Sequence, residues 1–316
     1  MIDLAARFAE QLEQVWPAGE DPGSRLGLAV SGGPDSLALL LLAHAIIPGR
    51  FEVATIDHGL RRESTDECAM VERVCAERGI PCEVLKVIVP QGNVQAKARN
   101  ARYHALGRWA ERQYLTAIAT AHHADDQAET LLMRLNRGSG VAGLAGVRAT
   151  GVTSLTPLPV VRPLLTFRRA ELAEVVAASG LVAVQDPSNA DDRFDRARIR
   201  KELAHCDWLD PIALAESAAH LADADAALTF YANTTWRKGV QVTDDEVVVP
   251  ILSLREIALR VVGRAIGHFG GDPRGQDLAR LVARLEAGEG GNVAGVLATV
   301  EGGHWVFRRE PARRTG

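Results

Sequence analysis

The feature that most limits what this chain can fold into is an alternation. Short apolar runs stand at residues 26–30 (LGLAV), 51–56 (FEVATI), 82–89 (CEVLKVIV) and 115–120 (LTAIAT). Between and after them lie longer segments with helical spacing, at 36–47, 63–79, 94–113 and 124–136. A strand that is apolar along its whole length has both faces buried, as in a parallel sheet. Parallel neighbours need a crossover connection, and the intervening helices supply it. The expected fold is therefore α/β, a parallel sheet with helices on both faces. Such sheets bind ligands beyond the carboxyl ends of their strands, so the residues just after each run are where chemistry is to be sought.

Residues 137–163 are punctuated by glycine and proline, with short β-like stretches, and a helix over 167–180 ends at Gly180. The character changes near residue 206. An Ala-rich helix is expected over 211–230, a strand over 246–252, helices over 254–269 and 276–287, and strands near 293–300 and 305–308. This predicts two domains, 1–205 and 206–316. The second is smaller, mainly helical α+β, and without a catalytic motif. The first 16 residues form an amphipathic pattern without a signal peptide's basic and apolar regions. No run reaches the roughly 18 apolar residues of a membrane span. The four cysteines, Cys68, Cys75, Cys82 and Cys206, form no Cys-x-x-Cys pair, which leaves zinc-knuckle and iron–sulfur spacings absent. A cytoplasmic protein with buried thiols is expected.

Ser31-Gly32-Gly33-Pro34-Asp35-Ser36 follows the first strand and opens a helix. Two glycines permit backbone conformations that a β-carbon would block. A helix N-terminus offers N–H groups and positive dipole character to an anion, and Ser31 and Ser36 are expected to add hydroxyl donors. The segment is neither a Walker A loop nor a dinucleotide fingerprint. Asp35 beside phosphates would repel them unless a divalent cation bridges the two; capping of the helix is the alternative role.

A second acidic site follows the fourth strand, in Ala121-His122-His123-Ala124-Asp125-Asp126-Gln127-Ala128-Glu129-Thr130. Asp126 and Glu129 are three apart and share a helix face. His122, Asp126 and Glu129 are expected to line the same crevice as the phosphate loop, holding a cation, a nucleophile or a basic substrate. Acids in a first helical turn also suit the dipole without any ligand. Arg137-Gly138-Ser139-Gly140 then reads as a further loop with exposed N–H groups.

The net charge of −4 and pI near 6.2 mean that nucleic-acid binding would have to come from local patches. Arg193, Arg196, Arg198, Arg200 and Lys201 form the densest one, and Lys97, Arg99, Arg102, Arg108 and Arg112 a second. A solvated helix face would carry the same charges. The tail Arg308, Arg309, Arg313 and Arg314 is a weaker candidate.

The hexapeptide at 31–36 resembles the PP-loop of N-type ATP pyrophosphatases. The stretch HHADDQAETLLMRLNRGSGVAGL is similar to the signature of tRNA(Ile)-lysidine synthases. Further matching pieces occur in order: Asp57-His58-Gly59-Leu60-Arg61, Ala98-Arg99-Asn100-Ala101-Arg102-Tyr103, Arg162-Pro163-Leu164-Leu165, Asp186-Pro187-Ser188-Asn189 and Arg196 to Arg200. The likeness covers roughly residues 20–205. It implies ATP as co-substrate, with Mg2+ at Asp35, and a two-step ligation. ATP adenylates the C2 oxygen of the wobble cytidine in a tRNA(Ile) with a CAU anticodon, and free L-lysine then displaces AMP. The resemblance puts ATP on 31–36, catalysis on Asp35, Asp126, Glu129 and Arg196, and substrate contacts on Asp57, His58, Arg99, Arg102, His122 and 137–140. It also implies a homodimer. One departure is Ala197, where the family commonly has Asn.

Rival readings account for less. A tRNA thiolase of the same loop class generally needs paired cysteines. A glutamine-dependent ligase needs an amidotransferase domain, for which 30 preceding residues are too few. A metal-dependent phosphoesterase built on Asp57-His58 and the 122–126 cluster leaves SGGPDS unexplained. A non-catalytic nucleotide sensor makes no use of Asp126 or Glu129.

Overall fold

The computed structural model describes residues 4–59, 63–88, 94–153, 155–184 and 195–311. Leu60, Arg61, Asp186 to Asn189, Arg193, Arg313 and Arg314, all singled out above, lie outside the described residues. The chain forms two compact units, Met1–Ala222 and Asp223–Gly316.

The first unit runs α1 (Leu4–Val15), β1 (Leu26–Ala29), α2 (Pro34–Ile46), β2 (Phe51–Asp57), α3 (Glu63–Ala76), β3 (Cys82–Lys86), α4 (Val94–Arg112), β4 (Ala117–Ala119), α5 (Ala124–Asn136), α6 (Val141–Leu144), β5 (Thr150–Thr153), β6 (Thr156–Val161), α7 (Arg169–Ala178) and α8 (Asp195–His205). The sheet order is β3-β2-β1-β4-β6-β5. All neighbours are parallel except β5, which runs antiparallel to β6. The chain builds outward from β1 through β2 to β3, then crosses back to lay β4 on the other side of β1. The order therefore reverses between β1 and β4, paired at Leu26↔Ala117 and Leu28↔Ala119. This is the topological switch point, where open α/β sheets hold their ligands.

The alternation predicted four of the six strands. The other two lie in the Gly/Pro-punctuated stretch. β6 contains Pro157 and Pro159, which lack the N–H that a ladder needs. Its pairing with β4 falls beyond them, at Ile118↔Val160 and Ala119↔Val161.

Helix α2 buries Leu37, Ala38, Leu39, Leu40, Leu42 and Ala43, nearly all round, because α1 and α7 pack on it as well as the sheet. On the other sheet face Trp109 and Leu106 of α4 pack with Ala54, Leu115 and Ile118. Gly27 in β1 lets α4 approach: a β-carbon there would meet the Trp109 ring at 2.7 Å and Leu115 at 2.9 Å.

The helix expected over 211–230 is longer. α9 (Pro211–Gly239) extends to Gly239, since Leu228, Ala232 and Trp236, four apart, join the second unit's core. That unit continues with β7 (Gln241–Val242), β8 (Glu246–Pro250), α10 (Arg255–His268), α11 (Gly275–Glu286), β9 (Gly291–Val293), β10 (Val296–Glu301) and β11 (His304–Arg309). Its antiparallel sheet has the order β7-β8-β11-β10-β9, and Val247, Val249, Val261, Trp305 and Phe307 fill its core. Among the described residues no helix is long and apolar enough to cross a membrane.

Candidate active site

The loop after β1 is held in shape from three sides. Gly32 has φ +83°, and a β-carbon there would lie 3.0 Å from Met70 Cε. Its carbonyl accepts the N–H of Val184 at 3.0 Å. Ser36, almost fully buried, accepts the N–H of Ser31 at 3.1 Å and donates to the carbonyl of Gly33 at 3.0 Å. Its hydroxyl is engaged inside the loop, against the Gly33 carbonyl. Leu37 N–H to Gly33 C=O is an opening backbone bond of α2, and the N–H groups ahead of it, as in any first helical turn, have no partner within the helix.

A solvent-open cleft starts at this loop. Ser31, Gly33, Asp35 and Ser36 form one wall. Ile56 and His58 come from the end of β2, Arg102, Tyr103 and Leu106 from α4, and Thr120, Ala121, His122 and Asp126 from the β4–α5 junction. The structure thus brings together the loop, Asp35, His58, Arg102, His122 and Asp126. Arg99 is exposed, with its guanidinium 5.0 Å from the Tyr103 ring.

His123, which the sequence reading passed over for His122, sits under this wall with no exposed surface. Its Nε2 lies 3.5 Å from both Asp35 Oδ2 and Asp126 Oδ2, and its Nδ1 lies 3.5 Å from Asp125 Oδ2. Burial alone would lower its pKa, but the three carboxylates outweigh that and push it up to about 9. It is an imidazolium at neutral pH. Burial pulls the Asp125 carboxyl upward, yet His123 and the backbone N–H of Arg169 hold it down to about 2. Asp126 is likewise desolvated, and His123 and Arg196 hold it below the ordinary carboxylate range. His122 behaves in the opposite way. Burial, with Arg162, Arg99 and Arg102 nearby and Asp126 opposing, lowers it to about 3. It is neutral, with Nδ1 2.9 Å from the Thr120 hydroxyl. The signal for His123 was its place between a strand end and two acids, but the third acid, Asp35, comes from a different loop.

Glu129 does not line the cleft with Asp126, contrary to expectation. It is 1% exposed and faces three guanidiniums. Oε1 takes Arg169 Nη2 at 3.2 Å and Arg200 Nε at 2.7 Å; Oε2 takes Arg196 Nε at 3.0 Å and Arg200 Nη2 at 3.2 Å. The N–H groups of Arg137, Gly138 and Ser139 are not exposed donors either. They cap the end of α5 on the carbonyls of Arg134 and Leu135, with Gly138 at φ +64°. Gly140 caps the start of α6, and the Arg137 side chain pairs with Asp195 at 2.8 Å. Asp57 accepts the Gly59 N–H at 2.9 Å and the Ser64 hydroxyl at 3.0 Å, so it braces the turn into α3 and its pKa is lowered by those bonds.

A family model described as the PP-loop domain matches residues 4–206. The tRNA(Ile)-lysidine synthase of Novosphingobium aromaticivorans is 48% identical over 93% of this chain and 92% of its own length. That of Zymomonas mobilis is 38% identical over 92% and 90%, and that of Ruegeria pomeroyi 40% identical over 92% and 72%. Among solved structures, the U34-tRNA thiolase of Methanococcus maripaludis shares the fold, with a TM-score of 0.57 and 15% identity over 69% of this chain and 78% of that one. The loop after β1, the cleft at the switch point and these likenesses agree: the chain belongs to the PP-loop family and, within it, to the tRNA(Ile)-lysidine synthases.

Proposed function

We propose that the chain joins free L-lysine to C2 of the wobble cytidine of a tRNA(Ile) with a CAU anticodon, through an adenylated tRNA, releasing pyrophosphate and then AMP. One observation carries this reading. The loop that opens α2 after β1 and an ionised carboxylate, Asp126, after β4 line one cleft at the switch point. Adenylation needs the first and an ammonium-bearing nucleophile needs the second.

The loop N–H groups and the α2 dipole hold the phosphates of ATP, and Arg102 adds a cation on the opposite wall. Asp35 suits Mg2+. Its Oδ1 is buried without a hydrogen-bond partner among the described residues, and magnesium is commonly held by one or two carboxylates together with phosphate oxygens. When bound, the ion supplies neutralisation of charge on the phosphates. Asp126 attracts the lysine ammonium. Its lowered pKa makes it a better counter-ion than base, so attack by the neutral amine draws on the small fraction of amine already deprotonated. Glu129, whose oxygens are filled by arginine, leaves that counter-ion role to Asp126. Arg196 stabilises charge developing beside Asp126.

The same proposal assigns catalysis to residues 1–205 and further tRNA contact to 206–316, in a cytoplasmic homodimer, on family grounds. The test is order of addition. ATP with tRNA should release pyrophosphate before lysine is supplied. Release from ATP and lysine without tRNA would instead mean activation of the amino acid and would refute the mechanism.

A further inference from the structure

Helix α8 carries Arg196 and Arg200, four residues apart and so on one helix face. Both reach Glu129 of α5. Arg200 does so with two nitrogens on two oxygens, Nε to Oε1 at 2.7 Å and Nη2 to Oε2 at 3.2 Å. A planar fork on a carboxylate fixes direction as well as distance, which a lysine cannot do. Arg196 uses Nε on the same carboxylate and donates from Nη2 to the Thr130 hydroxyl at 2.9 Å and the Asp126 carbonyl at 3.5 Å. Glu129 is buried, while Arg196 is 44% exposed and Arg200 26%. The buried end of this arrangement is thus the Glu129–Arg200 pair, and the exposed end is the Arg196 guanidinium, against the backbone of Asp126, whose side chain lines the cleft.

We infer that Arg200 is a positioning residue: its fork on Glu129 sets the rotation of α8 that presents Arg196 at the Asp126 end of the cleft. The inference rests on the reading of Arg196 given under the proposed function. It assigns Arg200 no contact with substrate. It also explains why a carboxylate three residues from Asp126 is surrounded by arginines: it is the post on which α8 is hung.

The experiment uses the full chain and compares Arg196→Ala, Arg200→Lys and the Arg196→Ala/Arg200→Lys double variant. Arg200→Lys keeps the charge that Glu129 requires and removes only the fork, so the fold should survive, with a thermal midpoint close to that of the parent. Single-turnover pyrophosphate release at saturating ATP and tRNA should fall by roughly 10- to 100-fold, the scale on which a displaced catalytic group is felt. The ATP concentration for half-maximal rate should stay unchanged. The double variant should be no slower than Arg196→Ala alone, because a misplaced Arg196 and a missing one are the same loss. An Arg200→Lys enzyme that keeps the parent rate overturns the inference, and so does a double variant whose loss is the product of the single losses. If Arg196→Ala turns over normally, both the inference and the reading of Arg196 fail. A slow Arg196→Ala with a fast Arg200→Lys sinks only the inference.

Discussion

Replacing His123 by Gln should remove a pH-dependent share of stability. The ordinary histidine pKa is 6.5, and in the folded chain His123 is pushed up to about 9. A raised pKa means that the folded state binds the proton more tightly. The stabilisation is therefore complete at and below about pH 6.5, declines as pH rises, and is gone above about pH 9. Holding the proton at about 9 rather than 6.5 is worth about 3 kcal/mol. The side chain has no exposed surface, so solvent screening takes little from that figure. The depression of Asp125 to about 2 reports the same contacts from the other side and adds nothing further. In the variant, Asp35, Asp125 and Asp126 converge without a cation. The parent–variant gap in unfolding free energy should thus be largest near pH 6 and shrink by about 3 kcal/mol by pH 9.5. For a unit of this size that is roughly 6–12 °C of thermal midpoint. Circular dichroism melts of both proteins in chelator, from pH 6 to 9.5, measure it. Groups titrating elsewhere cancel in the difference. A gap that stays constant across this range would show a neutral imidazole and refute the argument.

Three further outcomes follow from the same geometry. Ser36→Ala removes the buried hydroxyl that closes the loop between Ser31 and Gly33; stability should drop by about 1–3 kcal/mol and the ATP concentration for half-maximal rate should rise, and an enzyme unchanged in both would refute the clamp. Asp35→Asn should cut pyrophosphate release by roughly 100-fold or more, as loss of an electrostatic group at a reaction centre does, yet bind ATP more tightly than the parent when chelator is present, because the carboxylate–phosphate repulsion is gone; calorimetric titrations with and without Mg2+ test the crossing. Replacing Arg198 and Lys201, exposed on α8, should weaken every tRNA about equally and lower the salt slope of binding by roughly 0.7–0.9 per lost phosphate contact; an unchanged slope would mean that tRNA docks elsewhere.

Much of the fold was legible because it depends on local pattern. Apolar runs such as LGLAV admit few environments other than a doubly covered strand, and SGGPDS between a strand and a helix marks the carboxyl edge of the sheet. What was read only in part was written against local rules. β6 carries two prolines, and the last turns of α9 contain Asn233, Thr234 and Thr235, poor helix formers held in place by a core that Ala232 and Trp236 help to fill. Here tertiary packing overrides propensity.

The site shows the same limit in its charges. Asp126 and Glu129 share a face by helical spacing, and both were expected in one crevice. The structure divides them because of what arrives from far along the chain. Arg169 comes from 40 residues away and Arg200 from 71, and both end on Glu129. Asp126 meets His123 at close range and the cleft beyond it. A carboxylate's chemistry is decided by its counter-ion. A buried one ringed by guanidiniums has no lone pair to offer an ammonium group, whereas one that shares a single imidazolium with two other acids stays ionised and keeps an oxygen for a ligand. Spacing could place these two acids on a helix, but only the arrival of Arg169 and Arg200 at Glu129 could tell the post from the binding group.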